Sequence, residues 1–315
     1  MSPVPFKTLI LHFGLLLIMI SVLIPTYNCD CTPLVCQIHK QLVDCAIDFE
    51  IIVVDDASSD APITAQNATI STLSHTYFIR QTTNQGRTAT RQFLSEQAQF
   101  EHLLFMDADT LPKNPDFIQK FVSQVGQADV IFGGIEYAPN PPAPDEILRW
   151  VYGKKREGRS VVERQKIPYL SIISQCLLIR KEIFQQANTF FENRYGVDVL
   201  FTQNLEQLQV LVLHIDNPII HWGLETNQKF IDKTKKGIES LVYFEERGLV
   251  PSQYRPLQKA SHFLRKYRLS GVFSFIMSLV NPLIKQNLIS ARPSLFLFDL
   301  YKLDYFLKIK RQENA

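Results

Sequence analysis

Leu103-Leu104-Phe105-Met106-Asp107-Ala108-Asp109 reads as a short strand that stops on two carboxylates. Its four apolar residues do not alternate with polar ones, so neither face is meant for water. That is the pattern of a strand inside a sheet covered on both sides. Moving outward, similar runs recur at 20–24, 50–54, 77–80 and 128–132. Helical patterns fall between them, near 33–45, 60–71, 87–99 and 115–125. In the first of these Leu34, Ile38 and Leu42 are four apart and form one apolar stripe. Alternating strands and helices predict an α/β fold with a doubly wound, mostly parallel sheet.

In open sheets of this kind ligands bind beyond the carboxyl ends of the strands. The residues that follow the runs are Pro25-Thr26-Tyr27-Asn28, Asp55-Asp56-Ala57-Ser58-Ser59-Asp60, Asn84-Gln85-Gly86-Arg87 and Asp107-Ala108-Asp109. Strand ends are ordinarily polar turns, but four such clusters, two with paired carboxylates, mark one edge of the sheet as a candidate site. Residues two apart in an extended chain project to the same side. Asp107 and Asp109 can therefore face one hard cation, Mn2+ or Mg2+, beside phosphate oxygens; the competing reading makes Asp109 a helix cap. Arg87 and Arg91 are four apart, on one helical face. A helix N-terminus and a guanidinium both favour phosphate, although a solvated basic face would look the same.

The stretches Ser21–Asn28, Ile51–Asp60, Asn84–Arg91 and Leu103–Pro112 resemble family 2 of the inverting GT-A glycosyltransferases, bacterial type, in residue type, order and spacing. The resemblance spans about residues 20–245. It implies that Pro25, Thr26 and Tyr27 line a nucleotide pocket, that Asp55 and Asp56 contact the base, usually uracil, and that Arg87 lies near the ribose or diphosphate. It also implies that Asp107 and Asp109 hold nucleotide and metal, and that Asp198 is the general base. Val197 stands where the family usually has Glu, and Cys176 where relatives commonly have Asn. A late histidine approaches the metal or diphosphate in many GT-A enzymes. His221 matches it, with packing beside Trp222 as the alternative. The implied activity is transfer of a sugar from a nucleotide donor, expected to be a UDP-sugar, to an acceptor hydroxyl with inversion. The implied acceptor is a saccharide or lipid-linked saccharide of surface polysaccharide or glycolipid synthesis. A nucleotidyltransferase would carry a Gly-rich basic loop where Pro25-Thr26-Tyr27-Asn28 stands; a non-catalytic sugar-nucleotide or glycan binder remains the other reading.

With 315 residues and 46% hydrophobic content the chain can build one large α/β domain and an appendage. A net charge of +2 offers no case for a nucleic-acid partner. Five cysteines without a CxxC pair point to free thiols rather than zinc. Asn67-Ala68-Thr69 matches a glycosylation sequon, relevant only to a secreted chain.

The expected organisation is an extension or misplaced start at 1–18, with a membrane anchor as the alternative; a GT-A catalytic domain at 19–250; and a helical tail at 251–315. Residues 138–144 read as loop, 153–166 as a solvated charged segment, and 225–247 as an amphipathic helix. In the tail, Asn281-Pro282 interrupts an apolar run. Phe273, Phe275, Ile276, Leu279, Leu283, Leu295, Phe296, Leu297, Tyr301 and Phe306, with Lys302, Lys308, Lys310 and Arg311, suit a helix lying on an anionic membrane, with a helical subdomain that packs on the catalytic domain as the alternative. The expected location is cytoplasmic, peripheral at the inner face of the cytoplasmic membrane.

Overall fold

The computed structural model describes residues 18–313; the expected extension lies almost entirely outside them. The chain divides into two compact units. The first comprises the described residues through Glu136, Gly158–Asn193 and Asn204–Gly223. The second comprises Tyr137–Glu157, Arg194–Gln203 and the chain from Leu224 onward.

The first unit is built on a seven-stranded sheet of order β3-β2-β1-β4-β8-β6-β9. Its strands are β1 (Met19–Thr26), β2 (Asp48–Asp55), β3 (Thr76–Arg80), β4 (His102–Met106), β6 (Val130–Phe132), β8 (Cys176–Arg180) and β9 (Val212–His214). β1 to β4 are parallel, whereas β8 runs antiparallel to β4 and β6. The apolar runs are buried on both faces, as at Ile51–Val54 and Leu103–Met106. Helices α1 (Thr32–Cys45), α2 (Ala61–Ala68), α3 (Arg87–Gln97), α4 (Phe117–Val122), α6 (Val161–Gln165) and α7 (Lys181–Ala187) accompany the sheet. In α1 the stripe Leu34, Ile38 and Leu42 is fully buried. β5 (Thr110–Pro112) pairs antiparallel with β10 (Ile219–His221) in a second sheet that also holds β7 (Ile135–Tyr137). Strands of three residues carry too little periodicity to be seen in sequence.

Register sets the edge on which the polar loops collect. Thr26 pairs with Asp55 and Asp55 with Arg80, so the ends of β1, β2 and β3 lie in one row. Two sequence readings change here. Asn67 of the sequon is buried, accepting from Cys31 N at 3.0 Å and donating to Cys29 O at 2.9 Å, so it is an internal clamp on the loop after β1. Arg164, assigned to a solvated segment, is also buried. It donates to Phe132 O, Gly133 O, Ile215 O and Arg159 O at 2.9–3.3 Å, tying α6 to the ends of β6 and β9.

The second unit is helical: α5 (Ile147–Tyr152), the start of α8 (Asp198–Gln207), α9 (Asn227–Glu246), α10 (Pro256–Lys266), α11 (Ser270–Leu288) and α12 (Leu295–Glu313). Its core joins Leu148, Phe230, Ile231, Met277, Ile284, Leu288, Phe298 and Tyr301. α11 runs unbroken through Asn281-Pro282; Pro282 donates no ladder hydrogen bond there. No single helix among the described residues is long and apolar enough to cross a membrane.

α12 also departs from the expected membrane helix. Tyr301 and Phe306 are buried, and Leu295 and Leu297 pack on the core. The cations are held internally: Lys302 by Asp299 at 2.7 Å, Lys308 by Asp304 at 2.5 Å, and Lys310 by Glu245 and Glu246. Arg311 donates to Ser270 O at 2.9 Å. The partners of Lys310 and Arg311 lie some forty to sixty-five residues away in sequence, beyond the reach of a local pattern.

Candidate active site

The site grows from the loops after β1 and β2, which are sewn together. Asn28, at φ +48°, donates its N–H to Ser58 Oγ at 2.7 Å. Its side-chain Oδ1 accepts from Ser59 N at 2.9 Å and Asp60 N at 3.0 Å. Thr26 is buried and donates to Cys29 O, while Tyr27 is half exposed beside it.

Asp55, which ends β2, and Asp56, which follows it, do different work. Both carboxylate oxygens of Asp56 accept backbone hydrogen bonds, from Gln85 N at 2.7 Å and Gly86 N at 2.9 Å. Asp56 therefore shapes the 84–86 loop. Asp55 is fully buried. Its Oδ1 accepts from Ser58 N and Oγ, while its Oδ2 accepts no hydrogen bond and meets Arg80 Nε at 3.6 Å.

Gly86 caps α3 at φ +84°, and a Cβ there would stand 2.4 Å from Asn193 Oδ1. Only glycine combines that dihedral with that close approach. The helix it starts carries Arg87 and Arg91 toward Asp107. Arg91 is buried, with Nη2 2.6 Å from Asp107 Oδ1 and bonds to Ser174 Oγ and O at 2.8 Å. Arg87 is half exposed, with Nη2 3.2 Å from Asp107 Oδ2. The shared helical face of the two arginines is thus a clamp on Asp107.

Asp109, two residues on, faces elsewhere. Its Oδ2 is 3.2 Å from His221 Nε2, and its carbonyl accepts from Trp222 N at 3.0 Å. Burial alone would raise the Asp109 carboxyl; the hydrogen bond and charge of His221, then Arg87, outweigh it and hold the carboxyl below its ordinary value. A Cβ on Gly223 would stand 2.0 Å from Asp109 Oδ2, so the residue after Trp222 must be small for this pair to form. Asp107 and Asp109, expected to face one cation, meet different side chains here: Asp107 contacts the two guanidinium groups and Asp109 the imidazole. Asp109 and His221 form a carboxylate–imidazole pair, one oxygen and one nitrogen donor that could face a divalent cation together with substrate oxygens. No group of three His, Cys, Asp or Glu side chains is assembled for a metal among the described residues.

Three neighbours escaped the sequence reading. Ser174 orients Arg91, Gly223 admits Asp109, and Gln175 accepts the Asp107 N–H through its carbonyl while its own Oε1 is buried without a hydrogen bond. Only the step from an apolar run into Ser174-Gln175 hinted at them. Cys176 lies wholly within β8 and faces the core. Burial, reinforced by Asp109, Asp30 and Asp107, pushes the Cys29 thiol up to about 11, so it stays protonated and inert.

Asp198 belongs to the second unit, as the first residue of α8. Gly196, at φ +89°, packs against Gly237 of α9 and turns the chain into this helix. Val197, in place of the expected Glu, is buried, and the helix still starts at the next residue.

The family model for glycosyl transferase family 2 matches residues 21–187, from β1 to the end of α7. The chain belongs to glycosyl transferase family 2. The match contains the loops after β1, β2, β3 and β4, and leaves Asp198 and His221 outside. A Haemophilus influenzae protein described as an uncharacterized glycosyltransferase is 24% identical over 297 residues, covering 93% of this chain and 98% of that protein. Among solved structures, S. aureus TarS 1–349 superposes with a TM-score of 0.51 at 18% identity, covering 94% of this chain and 91% of that one. The mannosyltransferase PcManGT from Pyrobaculum calidifontis, solved with GDP-Man and Mn2+, gives 0.54 at 13% identity, covering 94% and 86%. These likenesses show the GT-A fold, and this family 2 member is a glycosyltransferase built on it.

Proposed function

We propose that the protein transfers a sugar from a nucleoside diphosphate donor, a UDP-sugar, to an acceptor hydroxyl by single displacement with inversion. The observation that carries this reading is the division of labour at the end of β4: Asp107 clamped by Arg87 and Arg91, and Asp109 set against His221. In this reading Asp55 Oδ2, a buried acceptor without a hydrogen bond, takes an N–H of the base. Pro25, Thr26 and Tyr27 border the nucleotide, and Arg87, the exposed member of the clamp, swings to the diphosphate.

Asp109 and His221 would hold the cation, Mn2+ or Mg2+, in line with the Mn2+ that accompanies GDP-Man in PcManGT. The bound cation supplies charge neutralisation for the departing diphosphate. Asp198 takes the proton of the attacking hydroxyl. The acceptor is a saccharide or lipid-linked saccharide of surface polysaccharide or glycolipid synthesis, met at the inner face of the cytoplasmic membrane.

The test is a panel of UDP- and GDP-sugars assayed for turnover with and without Mn2+, with the anomeric configuration of the product read by NMR. Turnover of a UDP-sugar, dependent on Mn2+ and giving the inverted anomer, is expected. A product of retained configuration overturns the displacement mechanism, and turnover with GDP-sugars alone overturns the choice of base.

A further inference from the structure

α11 has two apolar faces. With 3.6 residues per turn, Met277, Ile284 and Leu288 fall on one side and enter the core, with Phe273 and Val280 packed beside them. Val272, Phe275, Ile276, Leu279 and Leu283 fall within about 100° of arc on another side. Each of these five is more than half exposed. Scattered apolar residues on a surface are ordinary, but five on consecutive turns of one helix form a contiguous patch.

The charge around this patch has one sign. From Gly248 to Phe298 the chain carries seven Lys and Arg residues and no Asp or Glu. Arg265, Lys266 and Arg268 stand exposed at the turn where α10 meets α11, bent by 116°, one helical turn before Val272. Lys285 and Arg292 are exposed at the other end. Phe263 and Tyr267, also exposed, sit among the first cluster, and aromatic rings of this kind favour the headgroup level. In α12 the cations Lys302, Lys308 and Lys310 pair with acidic side chains. Here no acidic side chain lies within the segment to neutralise them.

We infer that the outer face of α11, with the basic turn Arg265–Leu269, is a membrane-docking surface for anionic phospholipid. The helix lies in the interface plane, its five apolar side chains inserted among the acyl chains and the cations at both ends against the phosphates. This deepens the membrane-proximal reading above by narrowing the expected surface to the outer face of α11 and the basic turn before it, and by leaving out α12. Charge selects a lipid surface over a second copy of the chain: two like cationic rims facing each other across a homodimer would repel.

The experiment is co-sedimentation of the full chain with vesicles of phosphatidylcholine alone or mixed with phosphatidylglycerol, at low and high salt. Binding is expected to the anionic vesicles only and to fall with salt. Leu279→Glu with Leu283→Glu should abolish it. Arg265→Gln, Lys266→Gln and Arg268→Gln together should weaken it about a hundredfold. Lys302→Gln with Lys308→Gln, which alters cations already paired in α12, should leave it unchanged. Circular dichroism and UDP binding report folding of each variant independently of vesicles and of turnover, so failure here is separate from failure of the proposed reaction. Equal binding to neutral vesicles, loss of binding in the α12 variant alone, or a homodimer broken by Leu279→Glu in a chain that ignores vesicles each overturns the inference.

Discussion

Asp107 and Asp109 show how much depends on one residue of spacing. Both end the same strand, yet one meets two guanidinium groups and the other an imidazole. Asp109→Ala is therefore expected to abolish the Mn2+ dependence of UDP binding in a calorimetric titration. Nucleotide binding that still strengthens with Mn2+ would place the cation elsewhere. Gly223→Ala tests the same pair from the other side: its Cβ would displace the Asp109 carboxylate, so the melting temperature should hold while the Mn2+ requirement rises at least about tenfold. Asp198→Asn should keep UDP affinity and lower turnover by about a hundredfold or more. Normal turnover would assign the base to another residue.

At the scale of elements, β6, β9 and α6 are joined through Arg164 and His214. The His214 ring donates from Nε2 to Pro168 O at 3.0 Å, leaving Nδ1 to accept from Arg164 at 3.4 Å, a tautomer that only the neutral ring supplies. Burial pushes this imidazole down to about 4, the Arg164 cation acts the same way, and the Pro168 contact opposes them. The unfolded chain thus binds a proton more readily than the folded one between about pH 6.5 and 4. The stabilising contribution of neutral His214 is complete above that window and is lost as the pH falls through it. His214→Gln should flatten the fall in melting temperature across this window relative to the parent; an identical slope would remove His214 as the cause. Arg164→Ala removes the side-chain donor to Ile215 O and Arg159 O and the second donor to Phe132 O and Gly133 O, and should cost about 2–3 kcal/mol in urea unfolding, with Arg164→Lys recovering only part.

For the whole molecule, the second unit is assembled from distant pieces of chain. Phe230 and Ile231 of α9 share a core with Met277, Ile284 and Phe298. Deleting residues 251–315 should therefore uncover that core, giving a protein that binds a hydrophobic dye and loses near-ultraviolet dichroism. A monomeric, cooperatively folded truncation would show the tail to be dispensable.

The parallel strands were legible because their burial on both faces writes uninterrupted apolar runs, and the loops that follow them carry side chains no core would hold. Helices with one wet face, such as α1 and α9, were legible for the same reason. Short-range sequence also placed Arg87 and Arg91 on one face of α3. What each polar side chain does was decided by tertiary contacts: Asp56 bonds a loop thirty residues on, Arg91 meets Ser174, Asp109 meets His221, and Lys310 meets Glu245. α11 and α12 are both apolar and cationic in sequence, and packing alone decided which of them shows its apolar face to solvent. A side chain's type and local period determine that it can be buried or charged-paired; only the fold brings the partner that settles which.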